Sequence, residues 1–319
     1  EKIPAAGYKI IGLPIAGFQR SLSLKNLIFP FKLLSSLLKA RKIVKHFQPD
    51  VAVGVGGYAS GPVLFAASTS GIPSLIQEQN SYAGITNRIL GKRADKICVA
   101  FEGMEKFFPK EKIVVTGNPV RKQVVDIEGK KADALKFFGL DGAKKTLLVV
   151  GGSLGSWSIN EAIEANLQRW ESNGFQIVWQ TGKLYFDRAK QAAKDKEWVH
   201  VHEFIQKMDF AYATADLIVS RAGASAVSEI SMVRKPSILV PLPIAAEDHQ
   251  TKNAMTLVNS KAAVLVADKN VKQQLGTEVE ELILNDAALK NIESNMKDYG
   301  FEDSAKSIAQ EVLKLVKEK

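Results

Sequence analysis

An α/β fold of two doubly wound, Rossmann-like parallel-sheet domains is what this sequence predicts, and three observations predict it. Short apolar runs alternate with helical patterns along nearly the whole chain. Most of those runs end in turns of glycine or other small residues, and the alternation falls into two series separated by the polar stretch Asp126 to Lys131. Strands joined through helices must pair in parallel, and a parallel sheet offers ligands the C-terminal ends of its strands. The expected division is a first domain over 1–125, a second over 126–300, and a terminal helix in 301–319 that packs back on the first; two such domains imply a cleft between them. At 319 residues, 46% hydrophobic and 24% charged, the chain can fill two cores.

The opening Glu1 to Ile11 reads as the end of one element running into a strand. A helix follows to about Phe47, with Leu33, Leu37, Ala40, Val44 and Phe47 on one apolar stripe and Pro30 tolerated in its first turn. Pro49 to Pro62 is a buried strand that runs into Gly54, Gly56 and Gly57 and a helix started by Pro62. These glycines do not fit the G-x-G-x-x-G spacing of a dinucleotide fold, which disfavours an oxidoreductase or epimerase of that type. A strand over Pro73 to Ile76 then meets the polar Gln77-Glu-Gln-Asn80, a candidate hydroxyl-binding group at a strand end. A helix to Gly91 and strands near Lys96 to Val99 and Lys112 to Val115 close the first series.

The second series begins with Thr146 to Val150, which runs into Gly151-Gly-Ser-Leu-Gly-Ser156 and a helix from about Ile159 to Trp170. Strands follow near Phe175 to Gln180, Trp198 to Val201, Leu217 to Val219, Ser237 to Val240 and Ala263 to Val266. The most informative turn is Ser220-Arg-Ala-Gly-Ala-Ser-Ala-Val-Ser-Glu-Ile230, a strand end, a small-residue turn and a helix start. The first N–H groups of a helix have no intrahelical partner, so phosphate is a natural guest there, and Glu229 one turn in suits the hydroxyls of a ribose. Asp303 to Lys317 is amphipathic, with Ala305, Ile308, Ala309, Val312 and Leu315 on one face.

Composition bounds the chemistry. Residues 2–49 hold nine Lys/Arg and no Asp or Glu, so the whole formal +9 comes from this segment and points to an anionic partner, nucleic acid or anionic lipid. Leu24, Leu27, Ile28 and Phe29 crowd there among Lys25 and Lys32, a pattern suited to an anionic membrane surface. The single Cys98 reads as buried filler and excludes an internal disulfide. His46, His200, His202 and His249 show no metal-ligand spacing, and no P-loop occurs. No apolar run reaches the roughly 20 residues of a membrane-spanning helix, and no signal-peptide layout is read at the N-terminus.

Taken together, Gly56-Gly-Tyr-Ala-Ser-Gly-Pro62, Gln77-Glu-Gln-Asn80, Ala83-Gly-Ile-Thr-Asn87, Gly117-Asn-Pro-Val-Arg121, Gly151-Gly-Ser-Leu-Gly155, Glu203-Phe-Ile205, Arg221-Ala-Gly-Ala224, Ser228-Glu229 and Asp248-His-Gln-Thr-Lys-Asn253 resemble, in order along nearly the whole chain, the MurG family. These are the undecaprenyl-diphospho-muramoylpentapeptide N-acetylglucosaminyltransferases of peptidoglycan synthesis. The resemblance implies a GT-B fold, UDP-N-acetylglucosamine as donor, lipid I as acceptor, and inverting transfer to the 4-hydroxyl of its muramic acid to give lipid II. It implies no cofactor, metal or nucleic acid, and a peripheral place on the cytoplasmic face of the bacterial inner membrane, with cell-wall and division proteins as further partners.

Carried over by position, Ile205 would meet uracil through its backbone and Glu229 the ribose. Ser153, Arg121 and the helix start at Ala224, Ser225, Ala226, Val227 and Ser228 would hold the diphosphate, and Asn80, His249 and Gln250 the N-acetylglucosamine. Ala226 departs from the hydroxyl residue of many relatives. The family's glycine-rich loop ending in His, near its N-terminus, is not seen, so the first domain reads as truncated, the chain as given is expected to have little transferase activity, and Glu78 is the remaining candidate base. A non-catalytic fragment that binds UDP-sugar and a membrane surface is the alternative.

Overall fold

The computed structural model describes residues 2–15, 28–301 and 303–316. They form two compact units: one of Glu1–Gln79, Ala83–Thr116 and Ala305–Lys319, the other of Asn80–Tyr82 and Gly117–Ser304.

In the first unit a short helix α1 (Lys2–Ala5) precedes residues 8–15, which carry no strand, so the strand expected near Ile11 does not form. Then come α2 (Phe29–Phe47), β1 (Ala52–Gly54), α3 (Ser60–Thr69), β2 (Ser74–Glu78), α4 (Ile85–Gly91), β3 (Lys96–Val99) and β4 (Ile113–Val115). The four strands are parallel, in the order β1-β2-β3-β4. Residues such as Leu64, Ile76, Ile97 and Val99 fill the core beneath the helices. Cys98 is buried on β3, and that burial, with Glu311 adding to it, pushes its thiol up to about 11, the behaviour of packing material.

Two further expectations for this unit are corrected. The α2 stripe is core at Ala40 and Val44 only, while Phe47, the last helical residue before a left-handed Gln48, stands 76% exposed. And Gln77 and Glu78 are not a polar turn: β2 extends through both, and both are buried. The Gly84 N–H at 3.1 Å and Asn87 Nδ2 at 2.8 Å donate to the Glu78 carboxylate, which is how a polar group tolerates that position.

The second unit runs α5 (Lys122–Val125), α6 (Lys131–Phe138), β5 (Thr146–Val150), α7 (Trp157–Trp170), β6 (Gln176–Gln180), α8 (Phe186–Ala192), β7 (Val199–His202), α9 (Met208–Thr214), β8 (Leu217–Ser220), α10 (Ala224–Val233), β9 (Ser237–Leu239), α11 (His249–Val258), β10 (Val264–Leu265), α12 (Val271–Ile283), α13 (Asp286–Asn295) and α14 (Ser304–Leu313), the last of which passes from Ala305 into the first unit. On α14 the face is turned from the expected one: Ala305 and Ala309 are exposed, while Ile308, Val312 and Leu315 are half-buried beside a buried Glu311.

The six strands are parallel in the order β10-β9-β8-β5-β6-β7. The chain moves outward from β5 to β6 and β7, then returns to β8 on the other side of β5 and moves outward again. That reversal makes the C-terminal ends of β5 and β8 a topological switch point, where an open α/β sheet leaves room for a ligand. Beneath it lies a core around the fully buried Trp170 and Trp179. Trp179 Nε1 donates to Asn160 Oδ1 at 3.0 Å, and Asn160 Nδ2 donates to the Thr181 carbonyl at 2.8 Å, so the first turn of α7 is fastened to the end of β6.

His200 and His202 stand two residues apart on β7, and burial lowers both from the ordinary histidine value. His202 packs edge-on against Phe138 at 5.3 Å, with no hydrogen-bond partner on its buried Nε2. Because the folded state disfavours the charged rings, the stability they contribute is present above about pH 6.5, their unfolded value, and is lost as pH falls through the lowered folded values. Urea midpoints are therefore expected to drop between pH 7.5 and 5, and His202→Gln should flatten that slope.

Candidate active site

The switch point is built from three turns of the second unit. After β8 the chain passes through Arg221-Ala-Gly223 into α10, whose N-cap Gly223 has extended backbone and no capping side chain. The N–H of Val227 closes the first helical bond to the Gly223 carbonyl at 3.0 Å, and Val227 is fully buried. The helix-end donors are therefore those of Ala224, Ser225 and Ala226, and Val227, expected among the phosphate contacts, is not one of them. Uncapped N–H groups at the positive end of the helix dipole suit an anion. Ser228 Oγ, one turn in, accepts from Asn118 Nδ2 at 2.9 Å.

The turn after β5 differs. There α7 is capped by its own Ser156, whose hydroxyl accepts from the Ile159 N–H, while Ser153 stands exposed on the preceding loop. Gly155 and Gly182 bring this loop against the one after β6: a Cβ on Gly155 would stand 1.9 Å from the Thr181 carbonyl oxygen, and one on Gly182 2.2 Å from that of Leu154. Only glycine permits such a backbone approach, and both adopt positive φ. Arg221 ties the same region together. Its guanidinium donates to Asp268 Oδ1 at 2.6 Å, to the Val240 and Pro241 carbonyls at 3.2 Å, and to Ser158 Oγ at 2.9 Å.

Glu229 lies half-buried on α10. Burial raises its carboxyl above the usual range, while a hydrogen bond from Tyr212 and the charge of the exposed Arg121 pull it back. Ile205 is buried, and its N–H donates to Gln180 Oε1 at 2.8 Å, so that backbone donor is already engaged.

The third turn follows β9. Glu247 and Asp248 both take left-handed backbone, an arrangement costly for residues with side chains. Lys252 holds it, with Nζ donating to the Glu247 carbonyl at 2.7 Å while lying over the Tyr82 ring. His249 meets Tyr82 edge-on at 6.2 Å, and Gln250 Oε1 accepts from the Leu242 N–H at 3.0 Å. Asn80 joins this group through Asn253, which is fully buried: Asn253 Nδ2 donates to Asn80 Oδ1 at 3.1 Å, and its Oδ1 accepts from the Ser81 N–H at 3.0 Å and from the Ser81 hydroxyl.

The second unit thus holds Asn80, Arg121, Ser153, Ile205, Ala224, Ser225, Ala226, Ser228, Glu229, His249 and Gln250. Glu78 lies in the first unit, its carboxylate engaged by Gly84 and Asn87. Tyr212 and Asn253 went without a role in the sequence reading. Of the expected surface patch, Leu24, Lys25 and Leu27 fall outside the described residues; Ile28 and Lys32 are exposed and Phe29 is half-buried. The outer face of α2 adds Phe31, Leu34 and Leu38, each more than half exposed among Lys39, Arg41, Lys42 and Lys45. Their i, i+3, i+7 spacing was legible but was eclipsed by the stripe on the other face.

Comparison with known proteins places relatives on both units. The glycosyltransferase family 28 N-terminal domain matches residues 1–99, and the family's C-terminal domain matches residues 146–312. A UDP-N-acetylglucosamine--N-acetylmuramyl-(pentapeptide) pyrophosphoryl-undecaprenol N-acetylglucosamine transferase from Parabacteroides distasonis is 49% identical, over 100% of this chain and 87% of its own length. One of the same name from Phocaeicola vulgatus is 51% identical, over 99% of this chain and 85% of its own. Among solved structures, MurG of Acinetobacter baumannii matches with a TM-score of 0.76 at 29% identity, covering 93% of this chain and 83% of that one.

Proposed function

The chain belongs to glycosyltransferase family 28, and from that premise we propose that it moves N-acetylglucosamine from UDP-N-acetylglucosamine to the 4-hydroxyl of the muramic acid of lipid I, giving lipid II. The fold is GT-B. Relatives near half identity carry this transferase's name over the full length of the chain, which favours catalysis over the binding-only alternative.

The observation that carries the site reading is the pairing of an uncapped helix start with a half-buried carboxylate one turn in, at the switch point of the sheet. The N–H groups of Ala224, Ser225 and Ala226, with Ser153 and Arg121, hold the diphosphate, and Glu229 accepts from the ribose hydroxyls. Ile205 meets the uracil, and Asn80, His249 and Gln250 meet the N-acetylglucosamine. Charge grows on the diphosphate as UDP departs, and donors fixed in advance stabilise that charge without reorganising. The role we assign to Glu78 is to hold the loop that leads to Asn80, since its carboxylate is buried on Gly84 and Asn87.

The lipid-bearing acceptor is met at an anionic membrane surface by Ile28, Phe29, Phe31, Leu34 and Leu38 with the lysines and arginine of α2, on the cytoplasmic face of the inner membrane and beside cell-wall and division proteins. No helix among the described residues is long and apolar enough to cross a membrane. Radiolabelled UDP-N-acetylglucosamine and a lipid I analogue test the activity in a protein that also carries the family's glycine-rich loop: labelled lipid II is the expected product, and its absence from such a protein that still binds UDP would return the binding-only reading. Glu229→Ala should weaken UDP binding by about 1–3 kcal/mol in calorimetry, the scale of hydrogen bonds lost by a charged group.

A further inference from the structure

Tyr212 is a buried hydroxyl that the transfer reaction does not account for. It sits on α9, 4% exposed, and its Oη donates to Glu229 Oε2 at 2.8 Å. A buried phenol needs a partner, but a backbone carbonyl would serve; here it spends its only proton on the carboxylate that faces the nucleotide site. We propose that Tyr212 is a positioning residue for nucleotide recognition: by occupying one oxygen of Glu229 it turns the carboxylate toward the two ribose hydroxyls and keeps it ionised to receive them.

This rests on the ribose reading of Glu229. A carboxylate on a flexible side chain loses rotamer freedom when it binds two hydroxyls, and a fixed third donor removes that cost before the ligand arrives. Burial also favours the neutral acid, which cannot accept two hydroxyl bonds as well, and the Tyr212 hydrogen bond opposes it directly. The other charge acting on Glu229 is Arg121, from the segment ahead of α5. Lys122 on α5, Asp209 on α9, His249 and Lys252 on α11, and Lys297 in the turn Lys297–Tyr299 lie on the neighbouring elements but are not among the causes of its shift. Tyr212 itself is driven far above the ordinary phenol range by burial and by Glu229, so it remains a donor throughout the working pH range.

The test is Tyr212→Phe, which keeps the ring and removes only the hydroxyl, read by calorimetric titration with UDP and with 2′-deoxy-UDP between pH 5 and 8. We expect about a fivefold loss of UDP affinity at pH 7.5, the scale of one ordinary intramolecular hydrogen bond. The acid limb of binding should move to higher pH, because without its donor Glu229 protonates sooner; phosphate protonation is common to both proteins and cancels. The preference for UDP over 2′-deoxy-UDP should shrink. Affinity, acid limb and preference all unchanged would overturn the proposal, and so would weaker binding with an unmoved acid limb and an intact preference, the mark of a packing role. Glu229→Gln separates the two readings: if it binds UDP as tightly as the natural protein, the ribose contact falls and Tyr212's role with it, whereas a weak Glu229→Gln beside an unaffected Tyr212→Phe removes Tyr212 alone.

Discussion

Gly155→Ala is expected to lower the urea midpoint sharply and to abolish measurable UDP binding, although it adds a single methyl group. Gly155 has φ of 78°, and its new Cβ would meet the Thr181 carbonyl at 1.9 Å. The obstacle is backbone, so no side chain can swing aside. The left-handed conformation costs about 1 kcal/mol for a residue with a Cβ, and the forced separation of two packed loops adds about 1–3 kcal/mol. Gly182→Ala inflicts the same lesion from the facing loop, where φ is 74° and the Leu154 carbonyl stands 2.2 Å away. The double variant should therefore cost less than the two singles added, since the loops need to part only once. Gly152→Ala is the control: its φ is also positive, but nothing lies within 4 Å of the added carbon. A Gly155→Ala protein no worse than Gly152→Ala would mean the two loops do not touch.

Arg221→Met is the second large effect expected, near 3 kcal/mol in equilibrium unfolding, the lower end of the cost of breaking a buried pair from one side. The Arg221 and Asp268 side chains are 12% and 20% exposed, so solvent screens this pair only partly. Removing the guanidinium strips the Val240 and Pro241 carbonyls of a donor and leaves the Asp268 carboxylate with the Ser158 hydroxyl. The ends of β8 and β9 and the first turn of α7 are then no longer tied to one group. Lysine offers a point charge where a planar fork makes several bonds, so Arg221→Lys should recover only a fraction. Asp268→Asn on the Arg221→Met background should relieve part of the loss, because it removes the uncompensated charge. Full additivity of those two changes would show that the ion pair contributes little.

Much of this was legible in the chain because its causes are local. Apolar runs such as Thr146 to Val150 and Leu217 to Ser220 become strands of a parallel sheet buried on both faces, and the glycine or small-residue turns behind them mark where a ligand can approach. The place of Glu229 on α10, one turn from the helix start, was legible for the same reason. Gln77 and Glu78 were misread because polar residues after an apolar run look like the end of a strand; what lets β2 continue is Gly84 and Asn87, which return to satisfy Glu78. Position along the helix places Val227 with the free donors of the first turn, but its N–H is already bonded to the Gly223 carbonyl. Tyr212 and Asn253 could not be ranked from sequence at all. Their partners lie 17 and 173 residues away, and nothing in a tyrosine or asparagine tells which of many donors and acceptors the fold will bring to it.

The claim on which the rest depends is that the switch point between β5 and β8 holds the donor nucleotide. A crystal structure of the protein with UDP-N-acetylglucosamine tests it most directly. The predicted result is the diphosphate over the N–H groups of Ala224, Ser225 and Ala226, with the ribose hydroxyls on Glu229 and the sugar beside Gln250. A nucleotide bound away from the ends of β5 and β8, with Glu229 contacting no ribose, would contradict it.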